Sequence, residues 1–264
     1  MRSQTVASAA VFTAFVAAAT AVFSVFIPAT NGYFNVGEIM VYTSALLMGP
    51  YVGAFAGGVG SAISDISLGF PYYAPGTLVI KAAEGFIVGY LSKRAFAGLS
   101  LRDWKGITVA AGLFFGSALA YVGTTFLAGT YNLILGGAWG IPSIEADFQV
   151  PWAVWVGLAV LVFGVIAYLG LRTEAKSGQS VLSVLAGGAA MVSGYYIYES
   201  TILRLIAPVS VVATLAPAAE VPFNVAQALV GLLVAVPLVR SIKRIVGSAP
   251  AAALGQNPAN PQST

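Results

Sequence analysis

A chain of 264 residues that is 58% hydrophobic and 8% charged lies far from the roughly 25% charge of soluble domains, so most of its apolar side chains must face lipid. It has no cysteine and no histidine, which excludes disulfides, thiolate chemistry, zinc sites, histidine-based triads and imidazole relays. The formal charge of +3 arises in short basic joints between apolar runs, which gives no support to a nucleic-acid partner.

A helix that crosses a bilayer takes about 20 mostly apolar residues. The run 6–27 is of that length, and longer than the usual apolar region of a signal peptide. On it Ala10, Ala14 and Ala18 form an i, i+4 stripe of small residues. Such a stripe seats a closely packed helix, either within the chain or on another subunit. The loop 28–35 carries turn chemistry at Asn31-Gly32 and two aromatics, Tyr33 and Phe34. The next run, 36–48, opens near Glu38 and is stopped by Gly49-Pro50. It is short, covering about 20 Å of a roughly 30 Å hydrocarbon core, so a recess is expected above its N-terminus.

Run 50–70 holds Ser61 and Asp65, and the aromatic loop with Tyr72 and Tyr73 follows it. Run 76–91 carries Lys81 and Glu84 at i, i+3, on one helix face. Runs 106–127 and 151–171 flank a long acidic loop, 128–150. Run 181–203 brings Tyr195, Tyr198 and Glu199, and run 221–239 brings Asn224 and Gln227. The tail 248–264, rich in Ala, Pro, Asn and Gln, has no apolar periodicity and reads as disordered. The expected architecture is all-α: one transmembrane domain, 1–247, with about eight helices in a bundle.

Charge sets the orientation. Of the twelve basic residues, all but Lys81 and Arg204 fall at Arg2, in 92–105, in 172–180 or from Arg240 onward. Alternation puts those joints on one side, and the positive-inside rule makes that side, with both termini, cytoplasmic. Arg204 reads as a cation at a helix end reaching for the interface, with Glu220 as a partner.

Glu38, Asp65, Lys81, Glu84, Tyr198, Glu199, Asn224 and Gln227 then share one depth, in the outer half of the membrane. An ionisable group near the bilayer centre costs about 2.5–3.5 kcal/mol on the insertion scale, so it faces a partner or a cavity. One reading is an ion-pair cluster, Lys81 with Asp65 or Glu84, that fixes helix packing. The other is an outward pocket in which Lys81 suits a carboxylate, phosphate or carbonyl oxygen and its loss weakens binding alone. Asn31, Tyr33, Phe34 and Tyr73 above it are interfacial anchors or a lid that stacks on a ring. The chain has no G-x-x-x-x-G-K-[ST] loop, so an ATP motor would be another polypeptide.

In this order the sequence resembles the substrate-binding S components of energy-coupling factor (ECF) vitamin transporters, riboflavin-type branch. The residues that carry the resemblance are Pro28-Ala-Thr-Asn-Gly-Tyr-Phe-Asn-Val-Gly-Glu38, Ala45-Leu-Leu-Met-Gly-Pro-Tyr-Val-Gly-Ala54 and Ala56-Gly-Gly-Val-Gly-Ser-Ala-Ile-Ser-Asp65. They continue at Tyr73-Ala-Pro-Gly-Thr-Leu-Val-Ile-Lys-Ala-Ala-Glu-Gly85, Gly194-Tyr-Tyr-Ile-Tyr-Glu199 and Glu220-Val-Pro-Phe-Asn-Val-Ala-Gln227. The likeness covers about 1–94 and 181–245 and leaves an inserted helix pair at about 106–171 on a six-helix core. It implies a cell-membrane capture protein for a vitamin or similar micronutrient. The partners it implies are a T-type transmembrane coupling subunit, docked on the Ala10, Ala14, Ala18 stripe, and a pair of cytoplasmic ATPases. It implies no cofactor, no metal and no catalysis, and release of ligand by toppling in the membrane.

The alternative is a self-sufficient proton-coupled transporter in which Asp65 or Glu84 takes up a proton. An intramembrane enzyme using the same carboxylates finds no His, Cys or metal-ligand set to support it. Flavins, other heterocyclic vitamins and modified nucleobases all fit the polarity of the residues.

Overall fold

Proline and glycine divide the chain where the apolar runs stop. α2 (Glu38–Met48) ends at Gly49, whose φ of 94° suits glycine, and Pro50 opens α3 (Pro50–Leu68). Before them come α1 (Ser3–Val22) and a hairpin of β1 (Ser24–Ile27) and β2 (Gly32–Asn35); after them come α4 (Ala74–Arg94) and α5 (Leu101–Phe126). A second hairpin, β3 (Gly129–Leu135) and β4 (Ile144–Val150), leads to α6 (Trp152–Arg172) and α7 (Ala175–Ser200). Two short helices, α8 (Leu203–Ile206) and α9 (Val209–Thr214), precede the long α10 (Pro217–Ser248). The structure, a computed structural model, describes residues 3–27, 32–94, 100–126, 128–135, 144–172, 175–214 and 217–248.

The molecule is an all-α membrane bundle. Helices at Ser3–Val22, Arg102–Thr125, Gly178–Ile206 and Glu220–Val246 are long and apolar enough to cross a bilayer, and Glu38–Met48 and Trp152–Tyr168 are shorter apolar stretches. α3 and α4, with 19 and 21 residues, are of comparable length but mix glycine, serine and charge into the run. Both are packed among other helices, so fewer of their residues meet lipid.

Strands form in both segments expected as loops, 28–35 and 128–150, and β1 takes the end of the run 6–27 expected as a spanning helix. β1 and β2 pair antiparallel from Ser24↔Asn35 to Ile27↔Gly32, and β3 and β4 from Gly129↔Val150 to Leu135↔Ile144. β3 lies against β1, so the long segment after α5 comes to rest beside the first hairpin. The tail read as disordered lies, from residue 249 on, outside the described residues.

α3 is the centre of the packing. It lies along α4 on one side and α1 on the other, while α2 is wedged among α1, α3, α4 and α10. The α3–α4 approach is close enough that a Cβ on Gly85 would come within 2.3 Å of the Gly53 carbonyl oxygen. α7 packs on α4 and α10. α5 pairs chiefly with α6 and touches α7 and α10 lightly. Trp104 pins its start, with its buried ring over Gly178 of α7.

The apolar core fills one half of the bundle. Val41, Tyr42 and Ala45 of α2 meet Val88, Val181, Val184, Leu229, Leu232 and Val236 there. Phe114, Tyr121, Val160 and Leu161 point outward from α5 and α6, as lipid contact requires. The other half of the bundle holds the buried polar side chains, beside a smaller apolar cluster of Tyr73, Ile80, Met191, Tyr198 and Leu203.

Candidate functional site

Because consecutive long helices alternate in direction, five helix ends converge on the polar half. Thr20 ends α1; Ser61 and Asp65 come from late α3, and Thr77 and Lys81 from early α4. Tyr195 and Glu199 come from late α7, and Glu220, Asn224 and Gln227 from early α10. With Gly32, Tyr33 and Asn35 of the hairpin and Tyr73 before α4, they line one recess.

The hairpin is latched over it by polar contacts. Tyr33 OH donates to Asp65 Oδ1 at 2.5 Å, and the Tyr33 ring packs on Phe70 with centroids 5.1 Å apart. Burial, with the Asp65 carboxylate beside it, pushes the Tyr33 phenol well above its ordinary pKa, so it stays a donor. Asn35 Nδ2 donates to Gln227 Oε1 at 3.2 Å, and Asn35 Oδ1 accepts from the Gly37 N–H at 2.8 Å. One side chain thus ties the end of β2 to α10 and to the start of α2.

Lys81 forms the floor. Its Nζ contacts Glu38 Oε1 and lies 3.2 Å from Glu84 Oε2, while Tyr42 OH donates to Glu84 Oε1 at 2.7 Å. All four side chains are buried, and the Tyr195 ring centroid lies 5.5 Å from Nζ. Tyr195 OH in turn donates to Thr77 Oγ1 at 3.0 Å. A cation between two carboxylates is what burial at this depth demands. The space left among the lining side chains is about 40 Å³, room for about two or three water molecules.

The family model for the S component of ECF-type riboflavin transporters matches residues 1–136 and 118–244. The chain belongs to that family. The two matched spans overlap at the end of α5 and in β3, within the segment that the resemblance leaves as an insertion. The chain is also similar to an uncharacterized protein in gap 3'region of Pyrococcus woesei, 58% identical over 62 residues, which is 24% of this chain. The chain spans about two fifths (41%) of the length of that relative.

Against this family frame, the recess gathers Tyr33, Asp65, Tyr73, Lys81, Glu199, Asn224 and Gln227 from the residues picked out in the sequence. Glu38 and Glu84 lie behind Lys81 as its ion partners and are not on the wall. Tyr198 stands beside the wall, its OH donating to the Tyr72 carbonyl at 2.6 Å and its ring against Gly76. Phe34 is half-buried in β2, opposite Val25. Asn31 lies outside the described residues. Lys81 finds Glu84, as one of the two expected pairings has it, but its other partner is Glu38; Asp65 goes to Tyr33 instead. Ala10, Ala14 and Ala18 are exposed along one side of α1.

Three further lining residues, Thr20, Asn35 and Thr77, carry no strong signal of a site in the sequence. Two are threonines on apolar helices, where the residue type most often bonds its own backbone. Asn35 had a legible signal: an Asn two residues before a glycine at a helix start commonly makes an Asx turn.

Proposed function

We propose that the protein is the solute-capturing subunit of an ECF-type importer. It takes a vitamin-like micronutrient from outside the cell into the recess above α2. It hands the solute inward with a T-type transmembrane coupling subunit and a pair of cytoplasmic ATPases. The observation that carries this reading is the recess itself: polar side chains from five helix ends at one end of the bundle, with Lys81 at its floor above the apolar core. The basic joints lie at the opposite end, so the positive-inside rule turns the recess outward and both termini inward.

In this reading Tyr33, Asp65, Tyr73, Glu199, Asn224 and Gln227 touch the ligand, and Glu38, Glu84 and Tyr42 hold Lys81 in place. The exposed alanine stripe of α1 is the face for the coupling subunit, and no Walker A loop is present because the motor is separate. The free space, about 40 Å³, is below the roughly 300 Å³ or more of a ring-binding pocket. Binding therefore requires the β1–β2 hairpin and the 70–73 segment to part.

The test is to purify the protein in detergent, identify the small molecule that travels with it by mass spectrometry, and reconstitute it in liposomes. A vitamin-class ligand, and no uptake until the coupling subunit and ATPases are added, is the expected result. Uptake driven by a proton gradient with this chain alone would sink the proposal.

A further inference from the structure

A seam runs down the bundle where α5 lies loosely on α7 and α10. It holds an apolar crevice of about 350 Å³ that shares no lining residue with the recess. Phe114 and Phe115 of α5, Gly188 and Ser193 of α7, and Val221 and Leu229 of α10 stand around it. We propose that this crevice seats one acyl chain of an outer-leaflet lipid, whose anionic headgroup rests on Arg204.

The shape of the space selects a single chain over a helix. The crevice follows α7 from Val184 to Ser193, about 14 Å of helix. Its mean cross-section is therefore about 25 Å², whereas a helix about 10 Å across takes about 80 Å². A dry cavity of about 150 Å³ takes up one benzene, so this crevice accommodates roughly a dozen chain carbons. A second apolar hollow, at Tyr196 and Ile197, shares Val192, Ser193 and Val221 with the first and carries the path outward. Together they follow about 20 Å of α7, half of a bilayer that is about 40–45 Å thick with its headgroups. A gap of this kind beside lipid invites filling, because its lining lacks dispersion contacts that a chain restores.

Charge supplies the second argument. Ile202, with φ −67° and ψ −44°, carries the helical path of α7 into α8. Arg204 stands seven residues beyond Ile197 and eleven beyond Ser193. These intervals are close to two and three turns, so the three share one helix face. Glu220, the partner expected for Arg204, is buried on the recess wall instead. Arg204 is exposed and, among the described residues, forms no ion pair. Around it Ile202, Leu205, Ile206 and Val209 are exposed, which sets this end of the helix at the lipid interface. There the forked N–H donors of a guanidinium match a phosphate.

The experiment strips the full-length protein of lipid in detergent and offers it phosphatidylglycerol or phosphatidylcholine. Native mass spectrometry counts what is retained. One phosphatidylglycerol per chain should persist, bound about fivefold more tightly than phosphatidylcholine, the preference one Arg gives towards anionic lipid. Arg204→Gln should equalise the two lipids and leave the lipid-free unfolding midpoint in place. Ala189→Phe, which sets a ring in the crevice, should abolish retention of both. If that variant does not fold, Ser193→Phe is read in the same way. No retained lipid, equal retention of the two by the unaltered chain, or a preference that survives Arg204→Gln overturns the inference. So does retention that survives the filled crevice. A lipid-free dimer that the filled crevice dissolves overturns it too, and gives the seam to a second copy. Solute capture in the recess is read from the co-purifying molecule and stands or falls separately.

Discussion

A lysine clasped by two carboxylates is a structural commitment first. At the residue scale, Lys81 has the least freedom of the polar groups, since Glu38, Glu84 and Tyr42 surround its end of the recess. Removing it leaves two buried carboxylates without their cation. Lys81→Ala should therefore lower stability by about 3–5 kcal/mol, as breaking one side of a buried ion pair does. The sequence alone suggests a loss of binding only; the structure makes binding and stability fall together. Pairing Glu38→Gln with Lys81→Met, which removes one acid and restores apolar bulk, should recover part of the loss. Denaturant unfolding in detergent measures both, and an unchanged midpoint for Lys81→Ala would contradict the clasp. The sequence shows Lys81 and Glu84 on one helix face, because i, i+3 is a local relation. Glu38 is 43 residues away, and no local pattern couples the two.

At the scale of elements, the bundle depends on how closely α3 and α4 approach. Gly53 and Gly85 face each other across that contact with no side chain between. Gly85→Val should force the helices apart and cost about 1–3 kcal/mol or more, as overpacking does. Gly106→Ala in α5, where nothing lies within 4 Å of the added atom, should be neutral or slightly stabilising. A thermal-unfolding comparison of the two variants decides the matter; similar midpoints would mean the α3–α4 contact is soft. The helices and the Gly49-Pro50 break are legible in the sequence from apolar length and from proline chemistry. The hairpins are not. β1 is Ser-Val-Phe-Ile, four residues that continue the apolar run of α1, and periodicity over so short a stretch does not separate strand from helix.

At the scale of the whole molecule, the polar half and the α5–α6 pair stand apart. Every described residue lining the recess lies outside 100–172, and α5 meets α7 and α10 only lightly. We take α5, α6 and the hairpin between them as an addition to a six-helix core. Replacing residues 100–172 with a short linker should leave affinity for the co-purifying small molecule within a few-fold of the full chain, read by equilibrium titration in detergent. A large loss would make the pair part of the site. The sequence reveals the depth shared by the polar residues, because helix alternation fixes depth from position alone. It does not reveal which of them meet: Asn35 and Gln227 are 192 residues apart, and that contact exists only once β2 and α10 are packed.

The narrowness of the recess has a kinetic consequence. With room for only about two or three waters, admission of a flavin-sized molecule waits on the roof lifting, an event internal to the protein. Association should then level off as solute concentration rises, at a ceiling set by how often Tyr33 releases Asp65.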